Sequence, residues 1–102
     1  MAFVCDIPAV ATVQSDDEVM RITRWDFPPG AVTGWHSHGW PYVVVMLTDA
    51  LMRVHDGTNV SERRMVAGEA YRRPAGVEHD VINAAEVAMA FIEVEMKKAA
   101  IF

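Results

Sequence analysis

A chain of 102 residues with 52% hydrophobic content holds enough apolar material for one packed domain, while its formal charge of −5 supplies no basic stripe to neutralise phosphates and argues against nucleic acid as a partner. The single cysteine, Cys5, permits no internal disulfide and no CxxC metal site, and it reads as a small apolar filler. No basic segment followed by an apolar leader opens the chain and no apolar run approaches the ~18 residues of a membrane span, so a cytoplasmic protein without membrane contact is expected.

Residues 1–18 show no sustained period and close on the acidic Ser15-Asp16-Asp17-Glu18, which predicts an arm or short strand lying against a neighbour. Residues 19–27 alternate loosely and are rich in β-branched and aromatic side chains; they predict a strand that Pro28-Pro29-Gly30 ends. A strand over 33–38 follows, Gly39-Trp40-Pro41 bends the chain, and 42–47 is an apolar run that Pro41 places at an edge or a bulge. Residues 51–55 and 60–65 flank Asp56-Gly57-Thr58-Asn59 and predict a hairpin, with His55 as a solvated turn residue at its mouth. Short strands over 68–73, 77–83 and 87–95 complete the pattern, and 97–102 forms a tail. Many short strands with Gly and Pro turns and no amphipathic helix predict an all-β fold, and closure into a barrel or jelly roll removes its edges.

Within this pattern His36 and His38 share one face of a strand, because side chains two apart on a strand point the same way. Two neutral imidazoles aimed at one point offer a divalent metal two of the ligands it needs. His79, delivered by the Pro74-Ala75-Gly76 turn into another alternating segment, is the candidate third. If the register holds from His38 onward, Tyr42 faces the same interior and is the candidate catalytic residue: a ligand, a donor to a bound anion, or packing. Tyr71 and Arg73 share a face, and Arg21 lies on the first long strand; an inward arginine would suit a carboxylate, but Arg72-Arg73 beside a turn reads more readily as a solvated face pairing with Glu69 or Glu78. By parity Trp35 points away from the histidines while Trp40 can approach them, and both read as barrel packing before a dimer contact.

The spacing Gly68, five residues, Pro74, one residue, Gly76, two residues, His79, three residues, Asn83 matches the second motif of the cupin superfamily without a gap. The first motif is matched by Gly30, His36 and His38, but Tyr42 stands where many cupins carry Glu. Together with Phe27-Pro28-Pro29-Gly30, Tyr42-Val43-Val44-Val45 and Arg73-Pro74-Ala75-Gly76-Val77-Glu78-His79, the chain resembles the small single-domain cupins named for β-alanine degradation. The resemblance implies a cupin double-stranded β-helix, a jelly-roll barrel, in one domain over 1–102, with a core over about 19–95, an arm over 1–18 and a tail over 96–102.

It also implies a divalent metal ion, Fe, Zn, Mn or Ni, on His36, His38 and His79, and a small-molecule ligand. Composition agrees with the resemblance in pointing to a homodimer, since three Trp, seven Met and four Phe exceed what a small barrel interior holds. The leading functional expectation is a metalloenzyme acting on a small polar metabolite, an organic or amino acid derivative, by dioxygenase-like, isomerase or hydrolytic chemistry. The alternatives are a non-catalytic binding or sensing cupin using the same metal, and a barrel whose ion only joins strands.

Overall fold

The computed structural model describes residues 7–98, so Cys5 and residues 99–102 of the expected tail lie outside the described part. Among the described residues nine strands form in the order β1 (Val10–Asp16), β2 (Met20–Phe27), β3 (His36–Ser37), β4 (Tyr42–Met46), β5 (Ala50–His55), β6 (Val60–Met65), β7 (Ala70–Arg73), β8 (Glu78–Asn83) and β9 (Met89–Met96). They make a five-stranded sheet, β1-β2-β9-β4-β7, and a four-stranded sheet, β3-β8-β5-β6, with antiparallel pairing throughout the named strands. The all-β jelly-roll expectation is borne out. No helix among the described residues is long and apolar enough to cross a membrane.

Alternation builds the core. On β4, Tyr42, Val44 and Met46 are buried while Val43 and Val45 are only half-buried, and on β9 Met89 and Phe91 continue the same inner surface. Phe27 is fully buried and packs its ring 5.5 Å from that of Phe91, which ties the first long strand to the last. Asn83 locks the end of β8 to this layer: its buried side-chain amide donates to the carbonyls of Phe27 (3.1 Å) and Val87 (2.8 Å) and accepts from the Ala85 N–H (3.0 Å).

Two expectations are corrected. Pro41 does not mark an edge, because β4 lies between β9 and β7; the proline sits just before the strand, where its missing N–H costs no ladder bond and its carbonyl accepts from Met96 at 2.9 Å. The strand expected over 33–38 contracts to His36–Ser37. Gly34 has φ of +84°, a left-handed conformation that interrupts the ladder, and Val32 makes only isolated bridges, to Pro8 and to Ile82. The arm over 1–18 contains a full strand, β1, paired to β2 through a bulge near Val13 and Ser15, with each of its residues exposed.

Candidate metal centre

His36 and His79 are direct partners across the antiparallel β3–β8 ladder, which places their side chains side by side on the inner face. His38 follows two residues on, held by backbone bonds from its N–H to the Val77 carbonyl and from the Gly76 N–H to its own carbonyl, both 2.8 Å. Gly76 takes a φ of +90° to deliver that bond, so the conformation its position requires is one that side chains rarely adopt. The Pro74-Ala75-Gly76 turn thereby fixes His38 as well as leading into His79.

The three rings meet at their Nε2 atoms. His36 Nε2 lies 3.1 Å from His38 Nε2, which lies 3.2 Å from His79 Nε2. His36 Nδ1 stands 2.8 Å from the Gly34 carbonyl, an acceptor only, so Nδ1 carries the proton and Nε2 of the neutral ring presents a bare lone pair. One proton on His38 Nε2 can bridge to one neighbour and not to both. A divalent ion accepts all three lone pairs at once, and the donor set fits it.

Burial favours the neutral, ligating form of these rings. It is the largest cause that lowers His38 to about 4, with His36 next, and that lowers His79 to about 3, with His36 and His38 next. Both are therefore neutral at pH 7.

Tyr42 is on the inner face, as its parity predicts. Its ring stacks on His38 with centroids 3.9 Å apart and planes at 21°, and its hydroxyl is buried without a hydrogen bond among the described residues. Burial, followed by Tyr71, raises its ionisation well above the usual phenol range, which keeps the hydroxyl a donor. Tyr71 and Arg73 line a cavity of about 330 Å³ that reaches Tyr42 and His79.

Arg21 is elsewhere, paired with Asp16 at 3.1 Å and lying 5.6 Å from the Trp40 ring centroid. Trp40 thus packs under Arg21 and Lys97, not beside the histidines, while Trp35 meets His55 edge-on at 6.2 Å. His55 serves its own turn by accepting from the Gly57 N–H at 2.9 Å.

Sequence reasoning missed Glu93 and Trp25, which line a small void of about 10 Å³ beside His36 and His79, room for about one water. Glu93 is pushed up to about 7, chiefly by burial and then by Glu95, with the Trp25 indole partly offsetting the rise. The Trp25 N–H nevertheless lacks a hydrogen bond of normal geometry among the described residues. Glu93 and Glu95 also bring carboxylate oxygens near a ring nitrogen of His38, these atoms lying within 4.8 Å of one another. The available signal was parity, since Glu93 falls on the same face of its strand as Met89 and Phe91.

The family model for the cupin domain matches residues 23–95. The beta-alanine degradation protein BauB of Pseudomonas aeruginosa strain PAO1 is 48% identical over 89 residues, covering 87% of this chain and 94% of that protein. Among solved structures, a cupin domain from Bordetella pertussis Tohama I superposes with a TM-score of 0.89 at 38% identity, over 94% of this chain and 100% of that one. A double-stranded β-helix protein from Klebsiella pneumoniae MGH 78578, at 15% identity and a TM-score of 0.75 over 94% of this chain and 83% of that one, shares the fold. With the family match running from the middle of β2 almost to the end of β9, the chain belongs to the cupin family.

Proposed function

We propose that His36, His38 and His79 hold one divalent metal ion and that the chain is a metalloenzyme acting on a small polar metabolite, an organic or amino acid derivative. The convergence of three Nε2 lone pairs, with His36 Nδ1 turned away to Gly34, carries this reading. When bound, the ion supplies Lewis-acid polarisation of a ligand oxygen or a lowered pKa for a bound water. Tyr42 donates its otherwise unpartnered O–H to an oxygen of the ligand, and Glu93, poised at about 7, takes up or returns a proton inside the barrel. The name of the P. aeruginosa relative, which ties it to degradation of a small amino acid, supports the size and polarity of the substrate. Exposed apolar residues on β1, Val10 at 53% and Val13 at 57%, support a homodimer, which sedimentation at several concentrations reads directly.

The test is metal content per chain, measured on protein purified without chelators, together with turnover in screens of small organic and amino acids. Wild type is expected to carry near-stoichiometric metal and to turn over a substrate, and His79→Ala is expected to lose both while remaining folded. A variant without metal that keeps full turnover refutes the proposal. A ligand recovered unchanged from metal-loaded protein makes the chain a binding module.

A further inference from the structure

The cavity that ends at His79 and Tyr42 carries two guanidinium groups, Arg63 from β6 and Arg73 from β7. These strands are terminal in their respective sheets, and both arginines line the one cavity. Neither makes an ion pair among the described residues. The acids at the same rim are committed elsewhere. Glu62 accepts from Arg53 at 2.9 Å, and Asp56 accepts from the backbone N–H groups of Thr58 (2.9 Å) and Asn59 (2.7 Å).

Arg63 lies with its guanidinium carbon 4.4 Å from the Tyr71 ring centroid, a contact that holds it beside the cavity wall that Tyr71 also forms. Arg73 is the register partner of Tyr42, which lines the same cavity and whose buried hydroxyl, close to Arg73, makes no hydrogen bond of normal geometry among the described residues. Two guanidinium groups without an ion pair among the described residues thus stand at the mouth that leads to His79.

We propose that Arg63 and Arg73 form a carboxylate receptor at the mouth of the barrel, seating the anionic end of a small molecule whose other end reaches His79. The proposal rests on the metal-site reading only for the position of that other end. Arginine forks match the planar, two-oxygen geometry of a carboxylate, and the Tyr42 hydroxyl supplies a further donor.

The test follows the Nε–H nitrogen-15 resonances of the arginines during titration with propionate, propionamide and inorganic phosphate, in Zn²⁺-loaded and in EDTA-treated full-length protein. The Arg63 and Arg73 resonances are expected to move saturably with propionate and to stay in place with the neutral amide. R73Q and R63Q are each expected to weaken propionate binding by about tenfold, the effect of losing a charge-assisted hydrogen bond. R64Q, on the opposite face of β6, is expected to leave it unchanged, and the wild-type resonances keep the test valid should a variant fail to fold.

Equal response to propionate and propionamide, tighter binding of phosphate, or undiminished propionate binding by the double variant R63Q/R73Q overturns the receptor. Propionate binding that ignores both arginines and vanishes with EDTA assigns the carboxylate to the ion, which overturns the receptor and leaves the metal reading standing. Binding that persists in protein shown to take up no metal upholds the receptor and removes the metal reading.

Discussion

Replacing Glu93 by Gln removes an ionisable group from the barrel interior while keeping its shape. Glu93 is 8% exposed, with Thr23 and Val44 beside it on the neighbouring strands. Burial first, and Glu95 second, raise it from 4.5 to about 7. Between these values the folded chain holds a proton that the unfolded chain has released. The protonated side chain therefore contributes stability that is complete below about pH 4.5 and is lost as pH rises through about 7. At ~1.4 kcal/mol per pH unit the loss is about 3 kcal/mol.

Urea unfolding of EDTA-treated wild type and Glu93→Gln at pH 5 and pH 9 measures it. His38 and His79, lowered to about 4 and about 3, are neutral in the folded protein at both pH values, so the comparison reads Glu93. The stability difference between the two is expected to change by about 3 kcal/mol in favour of Gln at the higher pH, a relative midpoint shift of about 1–3 M urea. Parallel pH profiles for the two proteins would show that the carboxylate is as well solvated inside the barrel as outside, and would refute the reasoning.

Tyr42→Phe deletes a buried hydroxyl that has no partner among the described residues, so the metal-free variant is expected to gain about 1 kcal/mol in urea unfolding, whereas a loss of that size would reveal a bond to the hydroxyl. Asn83→Ala strips partners from the carbonyls of Phe27 and Val87 and from the Ala85 N–H, and is expected to cost about 2–4 kcal/mol by thermal or urea unfolding; a change below about 1 kcal/mol would mean that the β8 terminus is held without it. Asp80→Ala frees the Gly34 segment and is expected to weaken metal affinity about 10–100-fold in chelator competition while leaving the barrel folded, and unchanged affinity would remove Asp80 from the support of His36.

The site's first layer was legible because motif spacing and strand parity are local properties. The second motif from Gly68 to Asn83 announces His79, and the even spacing of His36, His38 and Tyr42 puts them on one inner face despite Pro41, since the proline only precedes β4. What could not be read was which distant strands close over that face. Glu93 and Trp25 come from β9 and β2, neighbours in the sheet although they lie at opposite ends of the sequence, and Arg63 reaches the mouth only because β6 ends its sheet opposite β7. Arg72-Arg73 beside the turn suggested pairing with Glu69 or Glu78. In the fold Glu69 instead accepts from the Val66 N–H at 2.6 Å, and Arg73 turns into the cavity.

The short strand β3 shows how β8 supports the candidate site from both of its faces. A two-residue ladder holds β3 weakly by itself, yet it must present two imidazoles to within about 3 Å of their neighbours, the hydrogen-bond range. His79 faces inward, while Asp80, of opposite parity and fully buried, accepts from the Gly34 N–H at 3.1 Å on the other side. Thr33 adds a stitch, its hydroxyl accepting from the Val81 N–H at 3.1 Å and contacting the Gly34 carbonyl at 2.9 Å. That carbonyl receives the His36 Nδ1 proton and so determines which nitrogen faces the interior. Aiming of His36 is thus transferred from a ladder too short to provide it to a buried carboxylate on the strand that also carries His79, which keeps two candidate ligands in fixed relation through one rigid element.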